Sequence, residues 1–200
     1  MSDPIAFYFD FSSPYGYLAS TCIDAIGQRH GRQVNWRPIL LGLVFPVTGG
    51  QPISSIPVKG TYGLRDMARC ARLHEIPFRV PPRFPISTQA PARAFYFAHG
   101  QDPAAATRLA RSLFTAYMVE GHDISSPEVT LEIAAKAGLD GKQMRVALAD
   151  TALKQRVRTE TEAALARGVF GSPFFIADGE PFWGFDRLDH LDRWLATGGW

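Results

Sequence analysis

Cysteine is scarce in this chain: Cys22 and Cys70 are the only two in 200 residues. They form no C-x-x-C pair and no metal-ligand spacing, so neither a dithiol redox motif nor a disulfide framework is expected, and the composition fits a reducing cytosol. The five histidines are scattered without an HxxxH or HExxH pattern, so no metal site is expected. Phosphate-cradling GxxxxGK[ST] and GxGxxG loops are missing, as is a GxSxG nucleophile elbow. The most apolar stretch, Ile39 to Val47, is interrupted by Gly42 and Pro46 and is too short to span a bilayer. Met1-Ser2-Asp3-Pro4 has no basic start and no cleavable apolar run, so no secretory signal is expected. A one-sided charge is missing too. Lys and Arg number 21 against 19 Asp and Glu, a net +2, which calls for neither nucleic acid nor an anionic membrane as partner.

What is present is an ordinary globular composition, with 46% apolar and 20% charged residues. The length suits one domain with an insertion. Ile5 to Phe11 is rich in aromatics and reads as a buried strand. Ser12-Ser13-Pro14 punctuates it, and Leu18, Cys22, Ile23 and Ile26 then recur at helical spacing until Gly31. Gln33 to Ile39 reads as a second strand, giving the strand–helix–strand start of an α/β layer. Gly42 to Pro57 reads as a loop. The pattern then predicts helices near 59–74, 88–99, 103–120, 128–137, 141–148 and 151–166. Phe174 to Ile176 and Pro181 to Trp183 predict a hairpin around Asp178-Gly179, followed by a helix over 187–195.

Four places have residue types suited to chemistry. Pro14 favours the first helical position, which makes Ser13 the N-cap. The free N–H groups and positive dipole end there stabilise an anion, a thiolate included. Ser13 either caps its helix or also donates a hydrogen bond to bound sulfur. Ser172-Pro173 precedes a strand; a cis bond there would present the Ser172 backbone to a peptide-like ligand. Asp186 is either the N-cap of the last helix or a carboxylate for a ligand ammonium. Arg65, Arg69 and Arg72 share one helical face, with Lys59 before it and Arg79 and Arg83 nearby. That face is either solvated or attracts a small carboxylate. Cys22 reads as core. Cys70, on the basic helix, reads as core or surface, with a partly activated thiol as the alternative.

The run Phe7-Tyr8-Phe9-Asp10-Phe11-Ser12-Ser13-Pro14-Tyr15-Gly16-Tyr17-Leu18 resembles the opening of the 2-hydroxychromene-2-carboxylate isomerases. These are grouped with kappa-class glutathione transferases in the DsbA-like branch of the thioredoxin superfamily. Lys59 with Tyr62, Ile76-Pro77-Phe78, Gly168 to Pro173 and Trp183 to Leu188 resemble that family's later landmarks, in the same order. The resemblance implies an α/β thioredoxin-like fold of the DsbA/kappa type. Residues 1–58 plus 168–200 would form the thioredoxin-like domain, and 59–167 an inserted all-helical domain.

The resemblance also implies glutathione as cofactor. Ser13 occupies the place of the first cysteine of a redox C-x-x-C and Gly16 that of the second. By resemblance, Ser13 hydrogen-bonds the glutathione sulfur, Pro173 is cis, and Ser172 pairs its backbone with the cysteinyl part. Asp186 would hold the γ-glutamyl ammonium, Phe185 would contribute backbone, and Lys59 would meet a carboxylate of glutathione or substrate. One departure is Gly50, which stands where the kappa-type loop has asparagine. The implied activity interconverts 2-hydroxychromene-2-carboxylate and trans-o-hydroxybenzylidenepyruvate, a small aromatic carboxylate, in a cytoplasmic enzyme for which the resemblance suggests a homodimer. A kappa-like transferase or peroxidase keeps the same site but changes the reaction. A redox-inactive binding protein of the same fold would equally lack both cysteines.

Overall fold

The computed structural model describes residues 3–200; Met1 and Ser2, on which the reading of the N-terminus partly rests, lie outside them. Strand β1 (Ile5–Phe9) leads into helix α1 (Pro14–Arg29), strand β2 (Val34–Pro38) and helix α2 (Leu41–Thr48). A short 3-10 turn (Ile53–Ser55) precedes α3 (Lys59–Leu73), α4 (Gln89–Gln101), α5 (Pro103–Met118), α6 (Pro127–Lys136), α7 (Gly141–Ala149) and α8 (Thr151–Ala166). The chain closes with β3 (Phe174–Ala177), β4 (Glu180–Trp183), a 3-10 turn (Phe185–Arg187) and α9 (Leu188–Thr197). The strands form one mixed sheet in the order β2-β1-β3-β4, with β1 parallel to β2 and antiparallel to β3. This is the expected thioredoxin-like α/β frame. Among the described residues no helix is long and apolar enough to cross a membrane.

Alternation along β1 explains its unbroken apolar run. Ile5, Phe7 and Phe9 point into a large core with Leu18 and Ile23 of α1, Phe95 of α4 and Phe114 of α5. Ala6 and Tyr8 point the opposite way, into a second core with Val44 of α2 and Ala164 of α8. A strand buried on both faces needs apolar residues at both parities. The edge strands differ: β2 ends in Pro38, and β4 carries exposed Glu180 and Pro181.

Two boundaries depart from the sequence reading. The first strand ends at Phe9 rather than Phe11, because Asp10 leaves the ladder to organise the turn. The expected loop of 42–57 contains helix α2 in spite of Gly42 and Pro46. Burial of Val44 against Tyr8, Ala164 and Phe174 overrides the local breakers, and Gly49 stops the helix in the left-handed region (φ 71°).

Candidate active site

The site starts at the turn between β1 and α1. Ser13 is extended (φ −95°, ψ 112°) and caps α1: its Oγ accepts from the Gly16 N–H at 3.0 Å. The same hydroxyl donates to the Ser172 carbonyl oxygen at 3.0 Å. The Ser172–Pro173 bond is cis, so the expected isomer is found. Ser172 Oγ in turn accepts from the Asp10 N–H at 2.9 Å. Two segments far apart in sequence therefore meet at Ser13.

Asp10 is the hub beneath them, and sequence reasoning missed it. It is 4% exposed. Its carboxylate accepts the Ser12 N–H and the Leu41 N–H, each at 2.8 Å. Burial raises its pKa, and these hydrogen bonds offset part of the rise. A lone carboxylate inside an otherwise aromatic run was the available signal.

Gly16 faces Ser13 across this knot. A Cβ on Gly16 would lie 2.7 Å from Ser172 Oγ and 3.1 Å from the Ser13 Cβ. A side chain at this position forces the serine knot to shift. Helical Gly→Ala changes ordinarily stabilise by about 0.5–1 kcal/mol. Here overpacking, at about 1–3 kcal/mol, wins. Gly16→Ala is therefore expected to lower the thermal midpoint, measured by differential scanning calorimetry.

Tyr15, beside Ser13, donates its hydroxyl to Asp66 Oδ2 of α3 at 2.6 Å. Burial and that carboxylate push the phenol far above its ordinary range, so it acts as a donor and not as a base. Asp66 also pairs with Arg69. The Tyr15 bond, and then Arg69, hold its carboxyl below the usual carboxylate value. Such a contribution is full above an unfolded pKa of about 3.9 and is lost as pH falls through the depressed folded value. Asp66→Asn is expected to cost stability at neutral pH, with the difference closing on acidification. Urea unfolding at a series of pH values checks this. Asp10 has the opposite sign: its raised pKa makes its contribution decline as pH rises through the carboxylate range.

Ser13, Ser172, Asp10 and Tyr15 line one end of a cavity of about 1410 Å³. Its apolar wall comes from Leu41, Leu43 and Phe45 of α2, with Ile53 and Ile56 after it. Phe170 and Trp183, packed edge to face at 4.8 Å, form the rim beside Ser172. Three cations line it as well: Arg93 of α4, and Lys154 and Arg158 of α8.

The other sequence candidates stand elsewhere. Lys59 is the first residue of α3, exposed and outside the cavity lining. Phe185 is buried, its ring edge-on to His74 at 4.9 Å. Asp186 is exposed beside Arg187, with Nη1 to Oδ2 at 3.1 Å. It makes no cap hydrogen bond to α9, which corrects the capping alternative. The arginine face is also outside the lining: Arg69 pairs with Asp66, Arg83 with Asp123 at 2.7 Å, and Arg79 with the Glu120 carbonyl. Cys70 is not activated. Burial raises its thiol first, and the neighbouring charge of Asp66 adds to the rise.

The DSBA-like thioredoxin domain family matches residues 4–196 of this chain. The chain is 31% identical over 197 residues to a 2-hydroxychromene-2-carboxylate isomerase of Sphingobium xenophagum, covering 98% of this chain and 99% of the relative. It is 26% identical to glutathione S-transferase kappa 1 of Rattus norvegicus, covering 94% and 91%. Among solved structures, a 2-hydroxychromene-2-carboxylate isomerase superposes with a TM-score of 0.86 at 30% identity, covering 97% and 94%.

Proposed function

The chain belongs to the 2-hydroxychromene-2-carboxylate isomerases within the DSBA-like thioredoxin domain family, and from that premise we propose that it is a glutathione-dependent isomerase of a small aromatic carboxylate. The reaction would interconvert 2-hydroxychromene-2-carboxylate and trans-o-hydroxybenzylidenepyruvate. The observation that carries the reading is the Ser13 hydroxyl, held at the N-terminus of α1 and facing the cavity.

The residues fit a peptide thiol. A hydroxyl donor and a helix N-terminus both favour negative charge on sulfur. When bound, glutathione would supply a thiolate that adds reversibly to an unsaturated carbon, turning a fixed double bond into one free to rotate. Ser13 would transfer its hydrogen bond from the Ser172 carbonyl to sulfur. That carbonyl is then free to accept an N–H of the cysteinyl unit. Lys59 would hold a glutathione carboxylate and Asp186 the γ-glutamyl ammonium, with Phe185 contributing backbone and Pro173 setting the Ser172 backbone. Asp10 does not touch the reacting atoms; it fixes the Ser12–Ser13 turn and the start of α2. A cytoplasmic homodimer belongs to the same reading.

Calorimetric titration with glutathione, followed by thiolate absorption in the ultraviolet at neutral pH, tests this. Binding with a thiolate signal is expected. No binding at millimolar glutathione overturns the reading and favours a binding protein. Similarity to the rat kappa transferase supports a second reading, in which sulfur stays on the product. A transferase consumes glutathione with chlorodinitrobenzene, whereas an isomerase leaves its concentration unchanged during turnover.

A further inference from the structure

The cavity is larger than one small ligand requires. Sites for single drug-sized molecules run to about 300–1,000 Å³, against about 1410 Å³ here. The space beyond Ser13 lies between an apolar wall on α2 and a polar stripe on α8. That stripe is Thr151, Lys154, Gln155 and Arg158, whose spacing places them on one helix face.

Its cations are not equivalent. Arg158 shares its Nε with Glu162 Oε1 at 2.8 Å in an exposed i,i+4 pair. Arg93 is clasped, donating Nη1 to the Leu148 carbonyl at 2.9 Å and Nη2 to Gln89 at 3.1 Å. Asp150, one turn before Lys154, spends Oδ1 on capping α8 through the Ala152 N–H. Lys154 makes no ion pair among the described residues. Among the described residues Asp10 is the single carboxylate in the lining, and it is buried at the serine end. The α8 wall is thus a positive surface with one uncommitted ammonium, opposite an apolar face suited to an aromatic ring.

We propose that Lys154 is the specificity-determining residue that anchors the carboxylate of the aromatic substrate on the α8 wall, leaving Lys59 and the arginine face of α3 outside substrate recognition. This deepens the isomerase reading and rests on it for the substrate's chemistry. Arg93 and Arg158 add to the positive field that draws an anion to this wall, and the unpaired lysine ammonium makes the contact.

The test uses the full chain with two probes of one shape, coumarin-3-carboxylate and coumarin-3-carboxamide, titrated by calorimetry. Wild type is expected to bind the carboxylate about tenfold more tightly than the amide, the usual size of a charge-assisted contact. Lys154→Met should abolish that preference, and Lys154→Arg should keep it. With 2-hydroxychromene-2-carboxylate, Lys154→Met should raise KM about tenfold with kcat little changed. Its glutathione affinity should equal that of wild type, which also shows that the variant is folded. A wild type without preference for the carboxylate overturns the proposal. So does a Lys154→Met variant that keeps the preference, or its loss in Lys59→Met alone. Failure of wild type to bind glutathione would instead overturn the isomerase reading, and the probe titration would still decide the role of Lys154.

Discussion

Ser13→Ala is expected to lose about 10²–10³-fold in kcat, the cost of removing one preorganised donor from a developing or bound anion. The thiolate absorption of bound glutathione should move to higher pH in the same variant, since the hydroxyl that favours the charged form is gone. The fold should survive. The lost cap bond to the Gly16 N–H costs about 1 kcal/mol, a fall of about 2–4 °C in the midpoint for a chain of this size. Circular dichroism checks the fold, and steady-state kinetics with a spectroscopic pH titration check the chemistry. Near-normal turnover would remove Ser13 from the mechanism.

The largest effect on stability is expected at Phe9. Its ring is fully buried and lies 5.0 Å from Phe7, 5.2 Å from Phe11, 5.5 Å from Trp36 and 5.4 Å from Phe114. Truncating such a side chain costs about 3–5 kcal/mol through lost burial and a residual cavity. For a chain of this length the midpoint should fall by about 10 °C. Because Phe9 joins the sheet to α4 and α5, we propose that segment 59–167 is an insertion into the frame of 1–58 and 168–200 that does not melt by itself. Phe9→Ala should then shift one cooperative transition in calorimetry. Two separated transitions would contradict that view.

Much of this site was legible because its local signals agree. An aromatic run, then Ser-Ser-Pro, then helical spacing specifies a strand, a cap and a helix at once, and Ser13 follows from those three. Ser172 and Pro173 became legible only through resemblance, since an X–Pro pair before a strand is ordinary in isolation. Asp10 was hidden because its role depends on two backbone donors, from Ser12 in the turn and from Leu41 at the start of α2. Helix α2 was hidden because its reason for existing, the burial of Val44, is tertiary. The basic face of α3 looked suited to an anion by spacing alone, yet its arginines turn to Asp66 and solvent. The cations that do line the cavity sit on α4 and α8, and only the folded chain shows which side of a helix meets a distant turn.

The prolines at the two sheet margins have a consequence for association. A strand border with free N–H and C=O groups is a template on which another chain can add, and this is a common route to aggregates. Here each border has a residue that cannot donate: Pro38 closes β2 and Pro181 sits within β4, next to the charge of Glu180. Growth of the sheet from copy to copy is therefore disfavoured at both ends. The missing donors count most while the long-range pairing of β1 with β3 is still to be made, since an unpaired edge is then exposed for longest.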